Sequence, residues 1–181
     1  ALTQARAQAI TDAKLIVLSQ YMANELAAAG LSGATVIPPP VQAAVAPSAP
    51  GQDFVLGGRL VHHKGIDLAA QAWQDAGIDR PLQVAGLGPL LHAIPNAEAL
   101  GWLDHEALNQ TLSDARALIF PSRWQEPFGI MGVQALAQGT PVIAMVQGGM
   151  EDWADVGVIP VDPGDVHGMS EAITRLHGDA G

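Results

Sequence analysis

Few side chains in this sequence can do chemistry, and those that can are grouped. Only eight of its 181 residues are Lys or Arg. Two of these, Arg59 and Lys64, fall in the segment Gly57-Gly58-Arg59-Leu60-Val61-His62-His63-Lys64-Gly65. Glycines let a backbone approach a ligand closely, and two cations beside them suit a diphosphate. Two solvated charges in a glycine turn would look the same on paper.

The richest segment is Phe120-Pro121-Ser122-Arg123-Trp124-Gln125-Glu126-Pro127-Phe128-Gly129-Ile130, which runs on to Gln134. Proline is favoured at the first position of a helix, so Pro127 predicts a helix over 127–137, stopped by Gly139. The free N–H groups of Phe128, Gly129 and Ile130 then point out of a positive helix end that attracts an anion. Glu126 stands at the mouth of that site, and Gln134 lies about 12 Å along the axis and just over two turns around it. Both side chains can therefore face one elongated ligand, and a nucleotide sugar has that reach. The plainer alternative is a helix packed on a sheet, with Glu126 as its capping residue.

Two further loops are weaker. Gly86-Leu87-Gly88-Pro89 is a glycine pair opening a possible helix, but Leu91 replaces the third glycine of a dinucleotide fingerprint. It reads as a turn that can also wall a nucleotide pocket. In Gly148-Gly149-Met150-Glu151-Asp152, Glu151 or Asp152 can accept a hydroxyl, or the segment is a turn before a capped helix. The six histidines show no metal-ligand spacing, and no metal is assigned. Ser19, Ser113 and Ser122 have no identifiable base partner, so no serine nucleophile is read. The four tryptophans are scattered and read as packing residues.

The elements that must hold these loops alternate. Short apolar runs at Phe54–Leu56, Leu82–Ala85, Ala99–Trp102, Ala117–Phe120, Val142–Ala144 and Val158–Val161 are separated by helical patterns. Those helices are expected at about 66–76, 105–115, 127–137 and 166–176, with Asp104 and Asp165 as N-caps. Uninterrupted apolar strands alternating with helices predict an α/β, Rossmann-like, doubly wound parallel sheet, whose ligands bind beyond the carboxyl ends of its strands. Ahead of it, Leu15–Leu18 reads as a strand, Ser19 as an N-cap, Tyr21–Ala29 as a helix ended by Gly30, and Thr35–Ile37 as another strand. Prolines crowd the stretch between, at 38, 39, 40, 47 and 50. The expected division is a tail of a first domain over 1–38, a linker over 39–52 and a ligand-binding domain over 53–181. The opening segment cannot bury its apolar faces alone, which points to a fragment of a larger protein.

Composition sets the outer limits. The chain is 49% hydrophobic and 14% charged, with 20 Gly, 13 Pro and no Cys, and its net charge is −10. A globular α/β chain fits that balance, whereas disorder, a thiol nucleophile and a Cys-ligated zinc do not. Net acidity argues against nucleic acid and anionic membranes as partners. No signal peptide or long apolar span is evident, and a reducing cytoplasm is the expected compartment.

Taken in order, these segments resemble the C-terminal, donor-binding domain of a GT-B-fold retaining glycosyltransferase of family 4. Ile16-Val17-Leu18-Ser19 with Val36-Ile37-Pro38 resembles the end of that family's first domain and the crossing into the second. Gly58-Arg59-Leu60 with Lys64-Gly65 is similar to its diphosphate-binding Arg and Lys. Glu126-Pro127-Phe128-Gly129 matches the first of the family's paired glutamates, while Gly139-Thr140-Pro141-Val142 and Pro163-Gly164-Asp165-Val166 match fold landmarks.

The resemblance implies that Arg59, Lys64 and Glu126 are the catalytic set. Lys64 and Arg59 would hold the diphosphate, and Glu126 would orient the donor sugar rather than attack it. The amides of Phe128, Gly129 and Ile130 would meet sugar and phosphate, Gly58 would pass close to the ligand, and Trp102, Leu103 and Leu108 would hold the base. No cofactor is implied, the nucleotide diphosphate sugar being a substrate. The acceptor would be bound mainly by the absent first domain. Gln134 departs from the pattern, because the family carries a second glutamate there, and an amide cannot offer ribose two charged acceptors. A nucleotide-binding regulatory module without catalysis therefore stays open, as does a GT-B epimerase or sugar-phosphate synthase.

Overall fold

The computed structural model describes residues 13–43 and 51–178. Part of the expected tail (1–12), the prolines at 47 and 50, and the last three positions lie outside those residues. The short parallel pair β1 (Ile16–Val17) and β2 (Thr35–Val36) flanks helix α1 (Gln20–Ala28). Ser19 caps α1 as expected, its hydroxyl accepting from the Met22 amide at 3.2 Å. Gly30, at φ +86°, takes the left-handed position that ends it.

A six-stranded sheet follows, built from β3 (Asp53–Gly57), β4 (Leu82–Ala85), β5 (Ala97–Gly101), β6 (Ala115–Phe120), β7 (Val142–Met145) and β8 (Val158–Val161). Every pairing is parallel, in the order β5-β4-β3-β6-β7-β8. Helices α2 (Ile66–Ala76), α3 (His105–Ser113), α4 (Ile130–Ala137) and α5 (Val166–Gly178) cover it. The doubly wound sheet is thus as expected, with β5 beginning two residues before the predicted Ala99 and β6 two before Ala117.

The apolar runs are continuous because alternate residues feed separate cores. Phe54, Leu56, Ile119, Ile143 and Met145 pack on one face with Trp73 of α2 and Met169 and Ile173 of α5. Val55, Leu118, Val142 and Ala144 pack on the other with Leu112 and Ala135. Burial of that kind yields about 25 cal/mol per Å² of apolar surface, so the central strands carry much of the domain's hydrophobic stabilisation. β8 is an outer strand and contains Pro160, opposite Ala144.

The chain runs outward from β3 to β5 and then returns to place β6 on the other side of β3. This reversal is where open α/β sheets form their crevice. The loops after β3 and β6 therefore become neighbours although they are about sixty residues apart in sequence.

Candidate functional site

At that reversal the two loops meet through buried charge. Lys64 Nζ donates to Glu126 Oε1 at 2.6 Å, and Ser122 Oγ donates to the same oxygen at 2.8 Å. Glu126 is 5% exposed and Ser122 1%, while the Lys64 side chain keeps 23%. Glu126 Oε2 has no partner among the described residues. Lys64 closes a single 3-10 turn, His62–Lys64, which Gly65 ends at φ +69°. A Cβ on Gly65 would collide with the Pro121 carbonyl, so glycine is what lets the two loops approach this closely.

A second clamp holds the same loops from outside. The Arg123 amide and Nη1 donate to the carbonyls of His63 and His62, each at 3.1 Å. Its guanidinium grips both carboxylate oxygens of Asp67 in the first turn of α2, with Nη2 to Oδ2 at 2.8 Å. The hydrogen bonds from Arg123 hold the Asp67 carboxyl below its ordinary value, against an opposing push from burial. Arg59 is different. It is exposed and its side chain makes no hydrogen bond or ion pair among the described residues.

The expected helix start at Pro127 is corrected. α4 begins at Ile130, with Gly129 as its N-cap at φ +78°. Trp153 Nε1 donates to the Phe128 carbonyl at 2.5 Å, and the left-handed turn at Gly129 redirects the chain, so the helix cannot extend back to Pro127. Phe128 and Gly129 thus lie in a turn, and only Ile130 belongs to the helix. Their three amides nevertheless donate to nothing among the described residues. Glu126 sits off the helix, in an isolated strand-like bridge with Gly148 that the Gly149 amide reinforces by donating to the Glu126 carbonyl at 2.6 Å. The helical spacing that was to align Glu126 with Gln134 therefore does not exist. Gln134 is 9% exposed, and its amide nitrogen lies 3.4 Å from His105 Nδ1 at the start of α3.

Beside the charged end, Gly58, Ala85, Gly86, Trp102, Leu103, Leu108 and Met131 line a cavity of about 90 Å³. Four of these, Gly58, Trp102, Leu103 and Leu108, are the residues assigned to base and backbone contact. The Gly86-Leu87-Gly88 segment supplies a wall, while the helix it was to open is only a 3-10 turn at Leu91–Ala93. Trp102 is 71% exposed and stands at the rim.

Asp152, read as a hydroxyl acceptor, is otherwise engaged. Its Oδ2 accepts the Gln20 amide at 2.6 Å, which fastens α1 to the loop after β7, and Tyr21 Oη donates to Gln125 at 2.7 Å alongside. Sequence reasoning missed Ser122, Asp67, Arg123 and Met131. Ser122 reaches Glu126 within a non-helical loop whose path the sequence pattern does not define, and the Asp67–Arg123 pair depends on which strands are neighbours. Among the described residues no group of three or more His, Asp or Glu could hold a metal ion, and no helix is long and apolar enough to cross a membrane.

The parallel order, the reversal and the site on its rim define a doubly wound, Rossmann-like domain of the kind that forms half of GT-B proteins. TarM of Staphylococcus aureus, solved with UDP, superposes with a TM-score of 0.78 at 18% identity, over 92% of this chain and 37% of that one. HepE of Anabaena, solved with UDP and glucose, gives 0.75 at 20%, over 92% and 54%. The profile described as "Glycosyl transferases group 1" matches residues 51–179, and the chain belongs to that family. A glycogen synthase of Mycobacterium tuberculosis is 31% identical over 86% of this chain and 42% of its own length. An exopolysaccharide phosphotransferase of Streptomyces coelicolor is 33% identical over 71% and 15%. The chain thus spans less than half the length of either curated relative.

Proposed function

We propose that this chain holds the donor in a protein that transfers a sugar from a nucleotide diphosphate to an acceptor, with retention at the anomeric carbon. The observation that carries the reading is the Lys64–Glu126–Ser122 cluster beside an apolar cavity and three amides with no acceptor among the described residues. The base enters the cavity against Leu103 and Leu108 with Trp102 at its rim, and the diphosphate meets Lys64, Arg59 and the amides of Phe128, Gly129 and Ile130. That TarM and HepE were each solved with UDP supports a nucleotide as the ligand.

Departure of the nucleoside diphosphate builds negative charge on its outer phosphate. Arg59, Lys64 and the fixed amides are there to stabilise it without a metal ion. Glu126 offers an acceptor to sugar hydroxyls and orients the ring. The acceptor binds mainly on residues outside this chain, so the chain alone binds donor and does not turn over.

Calorimetric titration with UDP, GDP and ADP tests this, with Arg59→Ala as the control. One diphosphate should bind and should lose affinity in the variant, while the matching nucleoside changes little. Equal losses for both would remove the phosphate assignment. Gln134 favours a second reading, a nucleotide-binding module that regulates without transfer. If the longer parent protein is inactive and Gln134→Glu restores transfer, that reading wins.

A further inference from the structure

Resting on the donor-site reading, we infer that Glu126 makes this site prefer a sugar-bearing nucleotide over the bare nucleoside diphosphate. The two cations of the site are not equivalent. Arg59 is exposed and has no partner among the described residues, whereas the charge of Lys64 is already met by a carboxylate 2.6 Å away that is itself 5% exposed. Any diphosphate drawn to Lys64 is brought close to that carboxylate, in surroundings where water screens the repulsion poorly.

What offsets the repulsion depends on the ligand. Oε1 is committed to Lys64 and Ser122, and Ser122 is itself fixed by contacts of 3.2 Å with the backbone of Trp124. Oε2 has no partner among the described residues, and on the donor-site reading it is left as an acceptor beside the phosphate. A sugar on the outer phosphate brings hydroxyl donors to it. A bare terminal phosphate brings none, and carries further negative charge near neutral pH. The same carboxylate thus favours the donor before transfer and disfavours the diphosphate left after it, which speeds release of that product.

The test is calorimetry on this chain with UDP, GDP and ADP and with their glucose conjugates, comparing the parent with Glu126→Gln and Glu126→Asp. For the base that binds, E126Q tightens the bare diphosphate about tenfold, because the opposing charge is gone. It weakens the conjugate, so the ratio between the two collapses. E126D keeps the charge but shortens its reach, so the bare diphosphate stays within about threefold of the parent while the conjugate weakens. Unchanged or weaker diphosphate binding in E126Q overturns the inference, and does so whichever sugar is the natural one. If circular dichroism shows E126Q unfolded, E126D decides, and equal losses of diphosphate and conjugate in it overturn the inference. No diphosphate binding by the parent or by either variant overturns the donor-site reading itself, and this inference with it.

Discussion

The two ends of the candidate site are built by different physics. The charged end is fixed by short, directional contacts among Lys64, Glu126, Ser122, Arg123 and Asp67, so its geometry exists before any ligand arrives. The apolar end is a small cavity with Trp102 71% exposed at its rim, and it has shape but little that is aimed. Directed polar contacts read which atoms a ligand carries, whereas an apolar wall reads chiefly size and flatness. Discrimination among phosphate and sugar groups should therefore concentrate at the charged end, and the apolar end should sort bases by size and fit.

Removing the lysine should strike this contrast hardest. Lys64→Ala strips a cation from the site and leaves the buried Glu126 carboxylate without its ion partner. Diphosphate affinity should fall by about a hundredfold, as read by calorimetry. Chemical denaturation should show a loss of about 2 kcal/mol, below the figure for a fully buried pair because Lys64 is partly exposed. Arg59→Ala should weaken diphosphate between about ten- and a hundredfold, yet leave stability unchanged, because that side chain has no partner among the described residues to abandon. At the apolar end, Leu108→Ala should weaken nucleoside and diphosphate equally, by about fivefold. A larger effect on the diphosphate would break the division between the two ends.

The smallest effect is set by pH. The Asp67 carboxyl titrates lower in the folded protein than the ordinary aspartate value of about 3.9. The unfolded chain therefore takes up its proton first as pH falls. The Arg123–Asp67 clamp contributes in full above that value and is lost as pH drops through the lowered one. A melting-temperature series from pH 6 downward should show the parent losing its advantage over Asp67→Asn below about pH 4. A constant gap down to pH 2 would show that the clamp does not hold the loops through its charge.

Much of the sheet was legible because its signal is local. Phe54, Val55 and Leu56 announce a strand buried on both faces, and Asp104 marks the start of α3, its carboxylate accepting from the Ala107 amide at 2.9 Å. The loops were legible as composition but not as geometry. Pro127 is a sound first residue for a helix, yet a carbonyl bond from Trp153, 25 residues away, and the left-handed Gly129 move the start to Ile130. Ser122 looked idle because its partner role depends on how the loop folds, and Asp152 looked free because α1 was not known to dock there. What failed was each judgement that depended on distant parts of the chain.

Pro160 carries a consequence of another kind. Sheet edges invite other chains to add a strand, and a proline has no N–H to donate to such a newcomer. Since β8 spans only Val158–Val161, one proline interrupts most of the hydrogen-bonding row that it could present. With the chain's net charge of −10 adding mutual repulsion, this edge is poorly suited to templating aggregation by strand addition.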